Sequence, residues 1–146
     1  MKKIFFLILL STTISLAQKK SSLSSTPSSL DTIVLAGGCY WCVEAVYENL
    51  KGVQKVVSGF AGGTVKNPSY EAVSSATTGA AEVVQITFNK NETNLDEIFK
   101  VFFTVHDPTT LNRQGADVGT QYRSAIFYKN EAQKKAGQQI IQALTK

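Results

Sequence analysis

Behind two lysines the chain opens on an unbroken apolar run, Ile4 to Leu10, and only from about residue 31 does the hydrophobic pattern acquire a period. Residues 32–36 read as a strand. Val43, Val46, Tyr47 and Leu50 recur at i, i+3, i+4 and i+7, one apolar face of a helix that ends near Lys51-Gly52. A second strand covers residues 54–61. Gly62-Gly63 and Asn67-Pro68 mark a loop, after which Ser69 can cap a short helical turn from Tyr70 to Val73. In residues 82–88, Val84, Ile86 and Phe88 alternate with Val83, Gln85 and Thr87, which predicts a strand partly covered on both faces. Asn94 and Glu97 have the spacing of a capping box, and Leu95, Ile98, Phe99, Phe102 and Phe103 build a strongly apolar helix face that must end before Pro108. Residues 124–128 are the fourth strand, and 131–145 a final amphipathic helix using Ala132, Ala136, Ile140 and Leu144. The order β-α-β-β-α-β predicts an α+β fold, a ferredoxin-like two-layer sandwich with two helices over one face of a mostly antiparallel four-stranded sheet.

One stretch fits no period. Residues 107–122 form a long polar loop without obvious secondary structure, dense in hydrogen-bonding groups: Asn112, Arg113, Gln114, Asp117, Thr120, Gln121 and Tyr122. Loops of that length in a compact domain usually serve a function, so this one is expected to belong to a site.

With 146 residues, 43% hydrophobic and 18% charged, the chain has the size and composition of one globular domain. The basic start, the apolar run and the small-residue exit Ser15-Leu16-Ala17 match a secretory signal peptide over residues 1–17, too short to be a membrane span. Residues 18–30, rich in Ser and Lys, read as a flexible tether, leaving residues 31–146 as the domain. The expectation is export to the periplasm or the cell exterior, with no stable membrane association once the signal is removed. That removal lowers the net charge from +4 to +2, because Lys2 and Lys3 go with it. No basic stripe interleaved with aromatics remains, so nucleic acid is not an expected partner.

The chemistry points to Gly37-Gly38-Cys39-Tyr40-Trp41-Cys42, where a strand turns through two glycines into a helix. Unpaired N–H groups and the dipole at a helix start favour a thiolate, which makes Cys39 a candidate nucleophile. Both cysteines of the chain lie in this Cys39-x-x-Cys42 motif. An oxidising compartment tends to close such a pair, but so small a loop stabilises a fold little, which favours a redox over a structural role. A structural zinc site needs four ligands, and two cysteines with the lone His106 do not supply them, so no metal is expected.

These residues resemble the A-type peptide methionine sulfoxide reductases. The matching stretches are 37–41 (GGCYW), 59–63 (GFAGG), 67–70 (NPSY), 78–82 (TGAAE), 106–108 (HDP) and 112–125 (NRQGADVGTQYRSA), in family order across most of residues 31–128. The resemblance implies that Cys39 attacks the sulfur of methionine-S-sulfoxide, free or within proteins, takes the oxygen as a sulfenic acid and releases methionine. It makes Glu82 the acid, and Tyr70 and Tyr122 the phenols that hydrogen-bond the sulfoxide oxygen. Asp117 becomes an organiser of that pocket, and Tyr40 with Trp41 the aromatic cradle for the S-methyl group. No cofactor is bound in this scheme. An external reductant, a thioredoxin-like protein or another dithiol, supplies the electrons.

Glu82 opens an apolar strand beside Ala80 and Ala81, where burial favours the protonated carboxyl. Read without the resemblance, however, a glutamate opening a strand is ordinarily at the surface, and Tyr70, Tyr122 and Trp41 are ordinarily core. His106 is expected to hold the loop by hydrogen bonds and takes no catalytic role. The chain departs from the family pattern at Tyr40, more often phenylalanine; at Cys42, usually glycine; and at Ala80, usually histidine. It also stops short of the family's C-terminal segment, where many relatives carry resolving cysteines. Cys42 is therefore expected to resolve the Cys39 sulfenic acid as a local disulfide. The competing readings are a general dithiol exchanger built on Cys39 and Cys42, and a shortened module that binds oxidised methionine without turnover.

Overall fold

A computed structural model of the chain describes residues 29–145. The expected signal peptide, residues 1–17, lies outside the described residues, as does nearly all of the tether. Leu30 already pairs with Asn89, so the first strand starts before Asp31.

The elements in chain order are β1 (Leu30–Ala36), α1 (Tyr40–Tyr47), β2 (Val53–Ala61), α2 (Tyr70–Ser74), β3 (Ala81–Asn89), α3 (Leu95–Val105), β4 (Arg113–Gln114), β5 (Asp117–Val118), β6 (Ala125–Phe127) and α4 (Glu131–Leu144). A single 3-10 turn, Thr120–Tyr122, separates β5 from β6. The main sheet is antiparallel throughout, in the order β2-β3-β1-β6. That order and the βαββαβ succession are the ferredoxin-like arrangement.

Alternation along β1 and β3 sorts the core. Ile33, Leu35, Val84, Ile86 and Phe88 face the helices and pack with Val43, Tyr47, Ile98, Phe99 and Phe102. Burying each of the large side chains contributes roughly 1.5–3 kcal/mol. On the opposite face Ala36, Ala81 and Val83 are buried with Val34, Ala61, Ala125 and Phe127 packed beside them. Both faces of β3 are thus covered, with Gln85 the exposed exception.

Helix ends follow the caps. Ser69 Oγ accepts from the Ala72 amide, Asn94 Oδ1 from Glu97 and Asn130 Oδ1 from Gln133. Helix α1 stops at Tyr47 rather than near Lys51, because the Leu50 amide folds back to Tyr47 O and Gly52 takes a left-handed turn at φ +86. The buried Tyr47 hydroxyl donates to Ile98 O at 2.8 Å and ties α1 to α3.

The helical layer holds three helices, not two. Ala136 and Ile140 of α4 pack on the same core, Gly137 lets α4 approach Ile126, and Gln133 Nε2 donates to Thr32 O at 2.7 Å. The long loop is also less irregular than expected. β4 and β5 form a small hairpin with Arg113 opposite Val118 and Gln114 opposite Asp117. Among the described residues no helix is long and apolar enough to cross a membrane.

Candidate active site

The site begins where β1 runs out at Ala36. A side chain at Gly37 would press on the Phe102 ring at 2.8 Å and on His106 at 3.2 Å, and Gly38 adopts φ +90, so both positions need glycine for the chain to turn there. Cys39 is the N-cap residue of α1, and its carbonyl accepts from the amides of Cys42 (3.1 Å) and Val43 (3.4 Å). The two cysteines therefore share one helical turn. Both are free thiols; Cys39 is half-buried and Cys42 exposed. Cys42 is thus at the rim and is not a packed small residue. Its thiol is held above the ordinary range, first by the negative charge of Cys39, then by burial, a hydrogen bond with Cys39 and the charge of Asp117.

Glu82 lies at the start of β3 on the helix-facing side, only 2% exposed. This is the enclosed position that its apolar strand start beside Ala80 and Ala81 favours, and not the surface position usual for a strand-opening glutamate. Its Oε2 accepts from the Tyr40 amide at 3.1 Å, one residue past the nucleophile. Burial lifts its carboxyl above the usual range and the charge of Asp117 adds to this, while the Tyr40 N–H opposes it. A buried carboxyl is thereby biased toward the neutral acid beside a thiol.

The aromatic residues stand around this pair. The Tyr40 and Trp41 rings stack with centroids 5.8 Å apart at 10°, and Tyr40 also meets Phe60, again at 5.8 Å. Trp41 is 66% exposed and Tyr70 50%, so neither is core. Burial raises the phenol of Tyr40, with Glu82, Tyr70 and Cys39 adding to the effect. Burial raises the phenol of Tyr122 as well, followed by Glu82, Asp117 and Tyr70, against a hydrogen bond with Gln121. These mutual fields bring Cys39, Cys42, Tyr40, Tyr70, Glu82, Asp117 and Tyr122 into one neighbourhood, and Trp41 joins it through its stack on Tyr40. Asp117 is exposed, on β5.

Three residues around this neighbourhood carry no role in the sequence reading. Phe60 is paired with Glu82 across β2 and β3, a juxtaposition that exists only once the strand register is known. Gln121 is buried, and its Nε2 donates to Ser74 O at the end of α2, linking the segments of Tyr122 and Tyr70. Gln114 bonds both main-chain groups of Asp107. His106 is held by partners outside this group. Its Nδ1 donates to Phe102 O at 2.6 Å, since a carbonyl can only accept, which leaves Nε2 to accept from Ser124 Oγ at 2.8 Å. Burial lowers its pKa, so it is neutral, a brace between α3 and β6.

The arrangement offers a half-buried thiol at a helix start, an adjacent buried carboxyl, two phenols and an apolar ring wall open to solvent. Among the described residues no group of three His, Cys, Asp or Glu is placed to hold a metal ion. A groove of about 620 Å³ lies elsewhere, between α3, β6 and α4, and holds none of these groups.

The sequence pattern of the family described as peptide methionine sulfoxide reductase matches residues 31–146. The chain is 55% identical over 117 residues to the peptide methionine sulfoxide reductase MsrA of Saccharolobus solfataricus, covering 80% of this chain and 66% of that protein. It is 52% identical to the MsrA of Trichodesmium erythraeum over 79% of this chain and 65% of the relative. The chain thus spans just under two thirds of the length of these relatives. Among solved structures it is similar to methionine sulfoxide reductase A of Corynebacterium diphtheriae, with a TM-score of 0.72 and 35% identity, over 79% of this chain and 54% of that one. The reduced form of Mxr1 from Saccharomyces cerevisiae gives a TM-score of 0.71 and 36% identity over 77% and 67%. On the sequence pattern, the relatives and the fold together, the chain belongs to the peptide methionine sulfoxide reductase family.

Proposed function

We propose that this chain reduces methionine-S-sulfoxide, free or in proteins, to methionine. The observation that carries the reading is the buried carboxyl of Glu82, fixed by the Tyr40 amide next to Cys39. A sulfoxide oxygen leaves only when it is protonated or strongly hydrogen-bonded, and a neutral carboxyl with the phenols of Tyr70 and Tyr122 meets that need. The Cys39 thiolate attacks the sulfoxide sulfur and the S–O bond breaks as the oxygen is protonated and leaves as water, which joins Cys39 to a sulfonium through an S–S bond. Water then attacks the Cys39 sulfur, the electron pair of the S–S bond goes to methionine, a proton is released, and a Cys39 sulfenic acid remains. The rings of Tyr40 and Trp41 receive the S-methyl group, which packs favourably against an aromatic face.

Cys42 then attacks the sulfenic sulfur, a disulfide forms and water departs. An external dithiol of the thioredoxin type restores both thiols and is itself oxidised to a disulfide. The position of Cys39 and Cys42 at the N-cap and third residue of α1 supports this step, because residues three apart on a helix are neighbours within disulfide reach. Residues 1–17 direct export, so the reaction belongs outside the cytoplasm, where it repairs oxidised proteins. A general dithiol exchanger would need only the cysteine pair and would leave the buried Glu82 without a task.

The test supplies each sulfoxide epimer with dithiothreitol to the purified chain. Turnover of the S epimer alone is expected. Cys39→Ala abolishes it, and Cys42→Ser retains one stoichiometric turnover while slowing recycling by a dithiol protein at least tenfold. Insulin reduction without sulfoxide turnover would establish the exchanger instead.

A further inference from the structure

Gln114 belongs to no part of the chemistry described above, yet it touches three of the segments that carry it. Its side-chain amide mimics a strand partner: Oε1 accepts from the Asp107 amide at 3.2 Å, and Nε2 donates to the Asp107 carbonyl, also at 3.2 Å. Asp107 directly follows His106, whose ring lies beneath Gly37. The aliphatic stem of Gln114 fills the space that a side chain at Gly38 would take, with Cγ and Cβ only 2.6 and 2.7 Å from that position. Across the small hairpin Gln114 stands opposite Asp117. One half-buried side chain therefore links the turn before Cys39, the end of α3 and the strand that bears Asp117.

The other hydrogen bonds of the hairpin are made within its own loop, from the Gly119 amide to Asn112 O, from Thr110 Oγ1 to Arg113 O and from Arg113 Nε to Gly115 O. β4 and β5 have two residues each, Val118 is 65% exposed and Leu111 88%. Isolated hairpins of this size are not stable in water and need a tertiary anchor. From this geometry we propose that Gln114 is a positioning residue. Its amide clamps the Asp117 hairpin to Asp107, and its stem seats the Gly38-Cys39 turn, so that the carboxylate of Asp117 is held over Cys42, Glu82 and Tyr122. In its catalytic consequence this rests on the sulfoxide reductase reading, whereas the clamp itself can be measured without it.

Native-state hydrogen exchange of the full chain measures the clamp. In Gln114→Ala, protection of the Asp107 and Tyr40 amides should fall at least tenfold while that of Ile86 in the sheet stays within twofold. Gln114→Met, which restores the stem but not the amide, should recover protection at Tyr40 and not at Asp107. Equal loss at all three amides, or none, overturns the proposal. Where the parent chain turns over sulfoxide, Gln114→Ala should lower kcat about tenfold with KM within twofold. The double variant with Asp117→Asn should lose less than the product of the two single effects; multiplicative losses overturn the coupling to Asp117. A parent chain without turnover refutes the activity and leaves the exchange result to decide the clamp.

Discussion

Two groups that sit side by side need opposite protonation states: a sulfur anion at Cys39 and a neutral acid at Glu82. Burial supplies the second, raising the Glu82 carboxyl above the ordinary glutamate range. A pKa raised by folding means that the neutral form contributes stability fully below the unfolded value of about 4.3, and that this contribution is lost as pH rises through the folded value. Two outcomes follow for Glu82→Gln. Its melting temperature at pH 7–8 should equal or exceed the parent's, with no such gain at pH 4. Its kcat/KM for the S-sulfoxide should fall by about 10²–10³, and the alkaline decline that titration of Glu82 imposes should disappear from the pH profile. At this scale the eight candidate residues were named from motif alone. The surroundings of two of them were not legible, because exposure depends on what packs across from them: Trp41 and Tyr70 stand in solvent, whereas the apolar start of its strand already favoured the enclosed position of Glu82.

Elements with strong periodicity or a cap were legible to within a few residues. Asn94 and the face of Ile98, Phe99 and Phe102 fix α3 from local sequence, and the structure gives Leu95–Val105. Replacing the cap should be felt directly. Asn94→Ala removes the acceptor for the Glu97 amide and should cost about 1 kcal/mol of stability in urea unfolding, with turnover per folded molecule unchanged. The hairpin of β4 and β5 was not legible, since two-residue strands are too short to show alternation and their register is set by contacts with Asp107 and Gly38, far apart in sequence. The end of α1 was misplaced for a related reason. Leu50 continues the apolar period, but its amide is taken by Tyr47 O in a turn that the period cannot reveal.

At the scale of the molecule, His106 braces α3 against β6 as a neutral ring. Its pKa is lowered by folding, so its contribution is present above the unfolded value of about 6.5 and is lost as pH falls below that, when the unfolded chain takes up a proton that the native chain resists. The unfolding free energy in urea should therefore fall between pH 7 and pH 5 relative to that of His106→Asn, by up to ~1.4 kcal/mol per pH unit for one proton. The sheet order has a consequence of another kind. β1, the first of the described strands to be synthesised, occupies an interior place in the sheet, hydrogen-bonded to β3 and to β6, the last of the described strands. During translation it stays without a ladder until Val84 to Asn89 have left the ribosome, and its second side waits for Ala125 to Phe127. A nascent chain wired in this way cannot close its core early, and it remains threadable through a narrow pore for most of its own synthesis.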